Sequence, residues 1–179
     1  MDNLIRVYDN VIDNEYCHEL MDKFENNEQL HQKFDSDGMV FTQINIQKVG
    51  WIHDVNLLKA IFTNHVEKYK NDCKVEKQQM PLTCVLEPIR MKRYLPNNYD
   101  EFRSHVDVTS RTNCTRFLVM FLYLANNKNG KTIFPNLDIE IECKQGSLLM
   151  FPPMWPWLHA GQKPTRTSKY IMQSYLHYV

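Results

Sequence analysis

The sequence predicts a mainly β fold, a β-sandwich or barrel, with α-helices confined to the N-terminal part and buttressing one sheet. Two patterns carry that prediction. Residues 1–80 contain two stretches in which apolar residues recur every three to four positions, whereas residues 81–179 break into short segments rich in β-branched and aromatic residues. Size adds a third observation: 179 residues, 43% of them hydrophobic, can bury a sizeable core, and this length favours a single domain spanning 1–179. No repeat, low-complexity tract or linker composition marks a boundary at which to cut a second one.

The first helix is read from "VIDNEYCHELMDKFEN", where Asp13 stands at the N-cap position and Tyr16, Leu20, Met21 and Phe24 form the apolar stripe. "HDVNLLKAIFTNHVEKYKND" predicts a second, longer helix with Val55, Leu58, Ile61, Phe62, Val66 and Tyr69 on one side and Asp54 available to cap it. Between them "MVFTQINIQKV" alternates weakly, which suits a strand at a sheet edge. From Leu82 onward the expected strands are "TCVLEPIRMKRY", "TRFLVMFLYL", "KTIFP", "IEIEC", "SLLMFPP" and "KYIMQSYLHYV". Turn clusters "LPNNYD", "NNKNG", "KQG" and "AGQKPTRTS" separate them. On this reading residues 1–80 are a helical support and residues 81–179 the β core.

Lysine plus arginine equals aspartate plus glutamate at 21 each, so the chain lacks the basic excess of a general nucleic-acid binder. Five cysteines without a CxxC pair fit neither a disulfide framework nor a zinc ribbon, and a reducing cytoplasm is the expected setting. The first residues hold no apolar stretch flanked by basic residues, and the apolar runs near 117–125 and 148–158 are too short to span a bilayer. No membrane association is expected.

Chemistry concentrates in "SHVDVTSRTNCTRFLVMFLYL". His105 and Asp107 stand two positions apart ahead of a long apolar run, a spacing that turns both side chains to the same side of an extended chain. His18 and His65 fall in the predicted helices and His31 and His53 in polar surroundings, so these four read as structural or solvated. His159, in "FPPMWPWLHAGQ", lies far away in sequence within an apolar and aromatic setting and supplies a third candidate ligand. Two histidines and one carboxylate on one face of an octahedron leave three positions open for ligand and dioxygen. That donor set suits non-haem Fe(II), whereas structural zinc takes four closed ligands. Lys169 begins the last expected strand, ten positions after His159. If it points into the same interior as the metal, its ammonium needs an anion, and the far carboxylate of a metal-chelating dicarboxylate would serve.

In this order of residues the chain resembles the Fe(II)/2-oxoglutarate-dependent dioxygenase superfamily, specifically its prolyl 4-hydroxylase-like branch with its small phage-encoded members. The resemblance runs from about Arg90 to Val179 and rests on "RYLPNNYDEFRSHVD", "TRFLVMFLYLANNKNGKTIFP" and "KQGSLLMFPPMWPWLHAG" in register. It implies a double-stranded β-helix, a cupin-like jelly roll, for the core. It also implies His105, Asp107 and His159 as ligands of Fe(II), with Lys169 pairing with the distal carboxylate of 2-oxoglutarate. Tyr123, seven residues after Arg116, falls where related hydroxylases hydrogen-bond that carboxylate, and Tyr94 near one that faces the metal-chelating end; a core aromatic is the alternative for both. O2 completes the cofactor set, with ascorbate as an accessory reductant. The implied reaction couples oxidative decarboxylation of 2-oxoglutarate to succinate and CO2 with C–H hydroxylation of a peptide or protein residue. If the chain is phage-encoded, its compartment is the host cytoplasm.

For the substrate, the branch suggests peptidyl proline. Trp155, Trp157 and Tyr175 would form an apolar wall for a proline ring, or equally core packing, and Arg166 is a further candidate contact against a solvated reading. The basic cluster "RMKR" and the residues Lys163 and Arg166 read as a solvated face. The alternatives are a nucleic-acid or small-molecule oxygenase of the same superfamily, and a non-catalytic metal-binding β-sandwich module.

Overall fold

The computed structural model of the protein describes residues 2–179. A short strand β1 (Arg6–Tyr8) precedes helix α1 (Asn14–Glu25), the hairpin of β2 (Gln32–Ser36) and β3 (Met39–Asn45), and helix α2 (Ile52–Asp72). The remainder is β: β4 (Cys84–Leu86), β5 (Arg90–Tyr94), β6 (Glu101–His105), β7 (Arg116–Tyr123), β8 (Asn127–Phe134), β9 (Ile139–Cys143), β10 (Leu148–Phe151), β11 (His159–Gly161) and β12 (Lys169–Tyr178). The strands form one curled antiparallel sheet in the order β1-β10-β7-β12-β5-β3-β6-β11-β8-β9, with β2 paired to β3 and β4 to β12. No helix among the described residues is long and apolar enough to cross a membrane, and all five cysteines are free.

Alternation along the strands divides the core in two. In β7, Leu118, Met120 and Leu122 face the helices and pack with Leu20 and Phe24 of α1 and with Leu58 and Phe62 of α2. Val119, Phe121 and Tyr123 of the same strand turn the other way, into the curl of the sheet. Every position of β7 after Arg116 is therefore buried, which is why the sequence there is an unbroken apolar run.

Helix α1 begins as expected, with the Asp13 carboxylate accepting from the Tyr16 amide at 2.7 Å. Helix α2 differs. It starts at Ile52, and Asp54 is not a cap; its buried carboxylate takes Lys23 Nζ at 2.5 Å and the Tyr16 hydroxyl at 3.0 Å, clamping the two helices together. Nor is the stretch after α1 an edge strand. β3 pairs with β2, and also first with β6 and then with β5. Residues 1–80 thus supply three strands to the sheet as well as two helices. "NNKNG" is not a free turn either, because β8 begins at Asn127.

The Glu87 carboxylate, in the loop between β4 and β5, ties three strands at one point. Arg116 donates to both of its oxygens, at 2.6 and 3.1 Å, while Arg90 approaches at 3.0 Å and His177 at 2.5 Å. Burial pushes this carboxyl up, but the hydrogen bonds and charge of Arg116, His177 and Arg90 outweigh it and hold it below its ordinary 4.5. A depressed folded value means that the contribution to stability is present above the unfolded value and fades as pH falls through the folded one. Glu87→Gln is therefore expected to cost about 1–3 kcal/mol of stability at pH 7. In urea unfolding, the gap to the wild type should narrow as pH drops below about 4; a gap that does not change with pH would refute the ion-pair account.

Candidate metal centre and active site

The site forms where β6 and β11 run side by side. Their register sets His105 directly opposite His159, with ring centroids 4.3 Å apart. Each ring is fixed through Nδ1, which donates to a backbone carbonyl two residues earlier: Arg103 O at 2.8 Å for His105 and Trp157 O at 3.0 Å for His159. A carbonyl only accepts, so each neutral ring keeps its lone pair on Nε2. Asp107 lies just past the end of β6, its amide held by the Pro153 carbonyl at 3.1 Å. One carboxylate oxygen, Oδ1, accepts from the Tyr175 hydroxyl at 2.7 Å.

What remains is three atoms: His105 Nε2, His159 Nε2 and Asp107 Oδ2. All three are buried without a hydrogen-bond partner, and the three residues' ligand atoms lie within 4.8 Å of one another. Asp107 Oδ1 stands 3.4 Å from His105 Nε2, and Oδ2 stands 3.5 Å from His159 Nε2. Ligand atoms held at roughly 2.1 Å and at right angles on one ion would be about 3 Å apart, so a small inward movement brings this set onto a divalent metal. Protonation agrees. Burial pushes the Asp107 carboxyl up, but His159, His105 and Tyr175 outweigh it and hold the carboxyl down to about 2. Burial pushes the His159 imidazole down to about 4, against the attraction of Asp107. At neutral pH both are in the form a metal binds.

Beside the triad is a narrow cavity whose wall includes Tyr94, Phe102, Thr132, Gly161, Lys169 and Gln173. Lys169 is 4% exposed, with its ammonium 5.9 Å from the Tyr94 ring and 5.8 Å from the Tyr123 ring. Gly130 makes room for it, since a Cβ there would meet the Asn127 side chain at 2.9 Å and the Lys169 stem at 3.3 Å. Tyr94 lines the cavity directly. Tyr123 does not; its hydroxyl bonds Thr132 Oγ1 at 2.8 Å, and Thr132 forms the wall.

A wider groove of about 550 Å³ opens on the other side of the triad, bounded by Met39 and Phe41 of β3, Arg90, Arg116 and Tyr175. Of the three aromatics expected to form a wall, Tyr175 lines the groove and the two tryptophans do not. Trp155 is 79% exposed, Trp157 is buried in the inner core, and Tyr175 is committed to Asp107. Neither tryptophan lines the cavity or the groove. Arg166 is exposed on the turn before β12.

Lys92 corrects the solvated reading of "RMKR". It is 7% exposed, lines both cavity and groove, and its Nζ sits 4.4 Å from the Phe41 ring and 5.1 Å from the Phe102 ring. Burial pushes its ammonium down to about 7 despite the pull of Asp107. Thr132, Gln173 and Lys92 are among the site-lining polar residues that sequence reasoning missed. Thr132 had a signal in the expected strand "KTIFP", and Lys92 had one in its period-two spacing from Tyr94.

Comparison with known proteins places this arrangement in a family. The family model described as the 2OG-Fe(II) oxygenase superfamily matches residues 89–177. A protein of Acanthamoeba polyphaga mimivirus named "Putative prolyl 4-hydroxylase" is 30% identical over 187 residues, covering 92% of this chain and 70% of its own. The viral collagen prolyl hydroxylase of Paramecium bursaria Chlorella virus-1, solved with 2OG, superposes with a TM-score of 0.68 at 16% identity, covering 98% of this chain and 96% of that one. A Trichoplax adhaerens prolyl hydroxylase in complex with a hypoxia-inducible-factor peptide fragment gives a TM-score of 0.74 at 15% identity, covering 98% and 84%. The fold shared with these enzymes is the jelly roll expected from the sequence. The chain belongs to the 2OG-Fe(II) oxygenase superfamily.

Proposed function

We propose that the chain is a prolyl 4-hydroxylase-like enzyme that hydroxylates a peptide or protein residue, with His105, Asp107 and His159 holding Fe(II) and Lys169 binding the distal carboxylate of 2-oxoglutarate. The observation that carries this reading is the convergence of three buried, unpartnered ligand atoms at the mouth of a cavity that contains a buried lysine. When bound, Fe(II) with 2-oxoglutarate and O2 supplies the oxidising power for C–H hydroxylation.

The chain's own residues do the rest. Lys169 and Thr132 offer a cation and a hydroxyl to one end of a dicarboxylate, and Tyr94 flanks its length. The rings of Phe121, Phe134 and Phe151, with centroids 6.1, 6.0 and 4.8 Å from that of His159, keep water from the buried side of the ligand set. Tyr175 acts through Asp107. Its hydroxyl engages Oδ1, which leaves Oδ2 facing the metal position. The groove beside β3, about 550 Å³ in volume, opens onto His105 and Asp107 and gives a peptide a path to the triad. The mimivirus relative's name and the peptide bound to the Trichoplax enzyme support a peptidyl substrate with proline as the target residue.

Anaerobic titration of 2-oxoglutarate into the Fe(II)-loaded protein should raise a visible charge-transfer band. In Lys169→Ala the concentration needed is expected to rise about 10- to 100-fold, the value of one charge-assisted hydrogen bond pair. Loaded iron without a band would overturn the proposal. His159→Ala should abolish succinate formation from 2-oxoglutarate, and turnover like the wild type would remove His159 from the ligand set. Tyr175→Phe is expected to weaken Fe(II) about 10- to 100-fold, as loss of an outer partner of a metal ligand does. A change confined to the KM for peptide would instead make Tyr175 a substrate contact.

A further inference from the structure

Lys92 is a buried basic side chain without an acidic partner. It lies on β5 between Gln43 of β3 and Ile171 of β12, on the face that carries Tyr94 and Lys169. Only 7% of it is exposed, and its nearest neighbours of note are two phenyl rings. Among the described residues no carboxylate stands within ion-pair distance of its Nζ. Asp107 is the acid whose charge it feels most, and the lone pair of Asp107 Oδ2 belongs to the metal position. Once a dication is seated there, the negative charge that Lys92 sees is more than offset. A buried ammonium in that situation gives up its proton unless something brings an anion to it.

Two ligands could bring one, and the position of Nζ separates them. The closer ring, Phe41, lines the groove and not the cavity that holds Lys169. The ammonium thus lies toward the groove, and the groove is cationic. Arg90, Arg103 and Arg116 line it, against Asp37 and Asp107 as its acids. Arg90 and Arg116 are already satisfied by Glu87, and Arg103 by Glu101. Lys92 is the basic side chain of the groove left without a carboxylate partner.

We propose that Lys92 determines substrate specificity by pairing with a carboxylate of the peptide, so that the enzyme acts on targets with an acidic residue next to the hydroxylated one. This inference rests on the peptidyl-hydroxylase reading above. It adds a requirement, because an ordinary hydrophobic proline pocket would be indifferent to a neighbouring charge.

The test uses the full chain loaded with Mn(II) and 2-oxoglutarate, which binds without turning over. The probes are capped proline peptides carrying glutamate or glutamine at each position flanking the proline, with affinity read by calorimetry. At one position or more, glutamate is expected to bind about 10- to 100-fold more tightly than glutamine. Lys92→Met should bring that ratio to about one while leaving the 2-oxoglutarate affinity and the melting temperature at or above wild type, because an apolar chain of similar volume replaces the charge. Equal binding of both peptide series, binding of neither, or a preference that survives in Lys92→Met would overturn the inference and leave the co-substrate site standing. Loss of 2-oxoglutarate affinity in Lys92→Met with the peptide preference intact would reassign the ammonium to the co-substrate, which also overturns it. If Mn(II) and 2-oxoglutarate themselves fail to bind, the proposed function falls and this inference with it.

Discussion

The rest of the structure depends on keeping three lone pairs pointed at one another with no donor between them. Each such buried acceptor costs on the order of 1–3 kcal/mol when left unsatisfied, so the arrangement must be imposed by its surroundings. The surroundings are specific: two backbone carbonyls orient the imidazoles, the cross-strand register of β6 and β11 sets their separation, and the Tyr175 hydroxyl and Pro153 carbonyl hold the carboxylate. A bound cation converts that local penalty into affinity.

Strand β12 shows how one element serves both core and site. Along its inner side Lys169, Ile171, Gln173 and Tyr175 run from the deep end of the cavity to Asp107. Met172, between them in sequence, and Leu176, just after them, pack under the helices. Because the side-chain period is two, a slip of one residue would send Lys169 and Tyr175 to the helical face together. The register is fixed on both sides, by β5 and by β7.

Sequence made the site more legible than the fold around it. His105, Asp107, His159 and Lys169 are chemically unusual in their local settings, and each stands out from its neighbours. The missed elements lack a hydrophobic signature. In β2 only Phe34 is even half-buried, so "QKFDS" has no periodicity to read; its hairpin announces itself instead through Asp37-Gly38, both at positive φ in the turn. β6 carries two charged residues and one apolar one ahead of His105, with Arg103 and Ser104 exposed, and its strand character comes from pairing with β11 and β3. Lys92 was misread because a lysine in a basic cluster is ordinarily solvated, and only the pairing of β3 with β5, with Phe41 and Phe102 beside its ammonium, shows that this one is covered.

Strands from the first half of the chain are woven into the second: Arg6 pairs with Met150, Met39 with Phe102 and Thr42 with Arg93. Such pairings have high contact order, and chain entropy must be lost before they return any free energy. Residues 89–177 contain every proposed ligand, yet Phe41 and Met39, which form one bank of the groove, arrive from outside that span. The groove is therefore complete only once both halves of the chain have met.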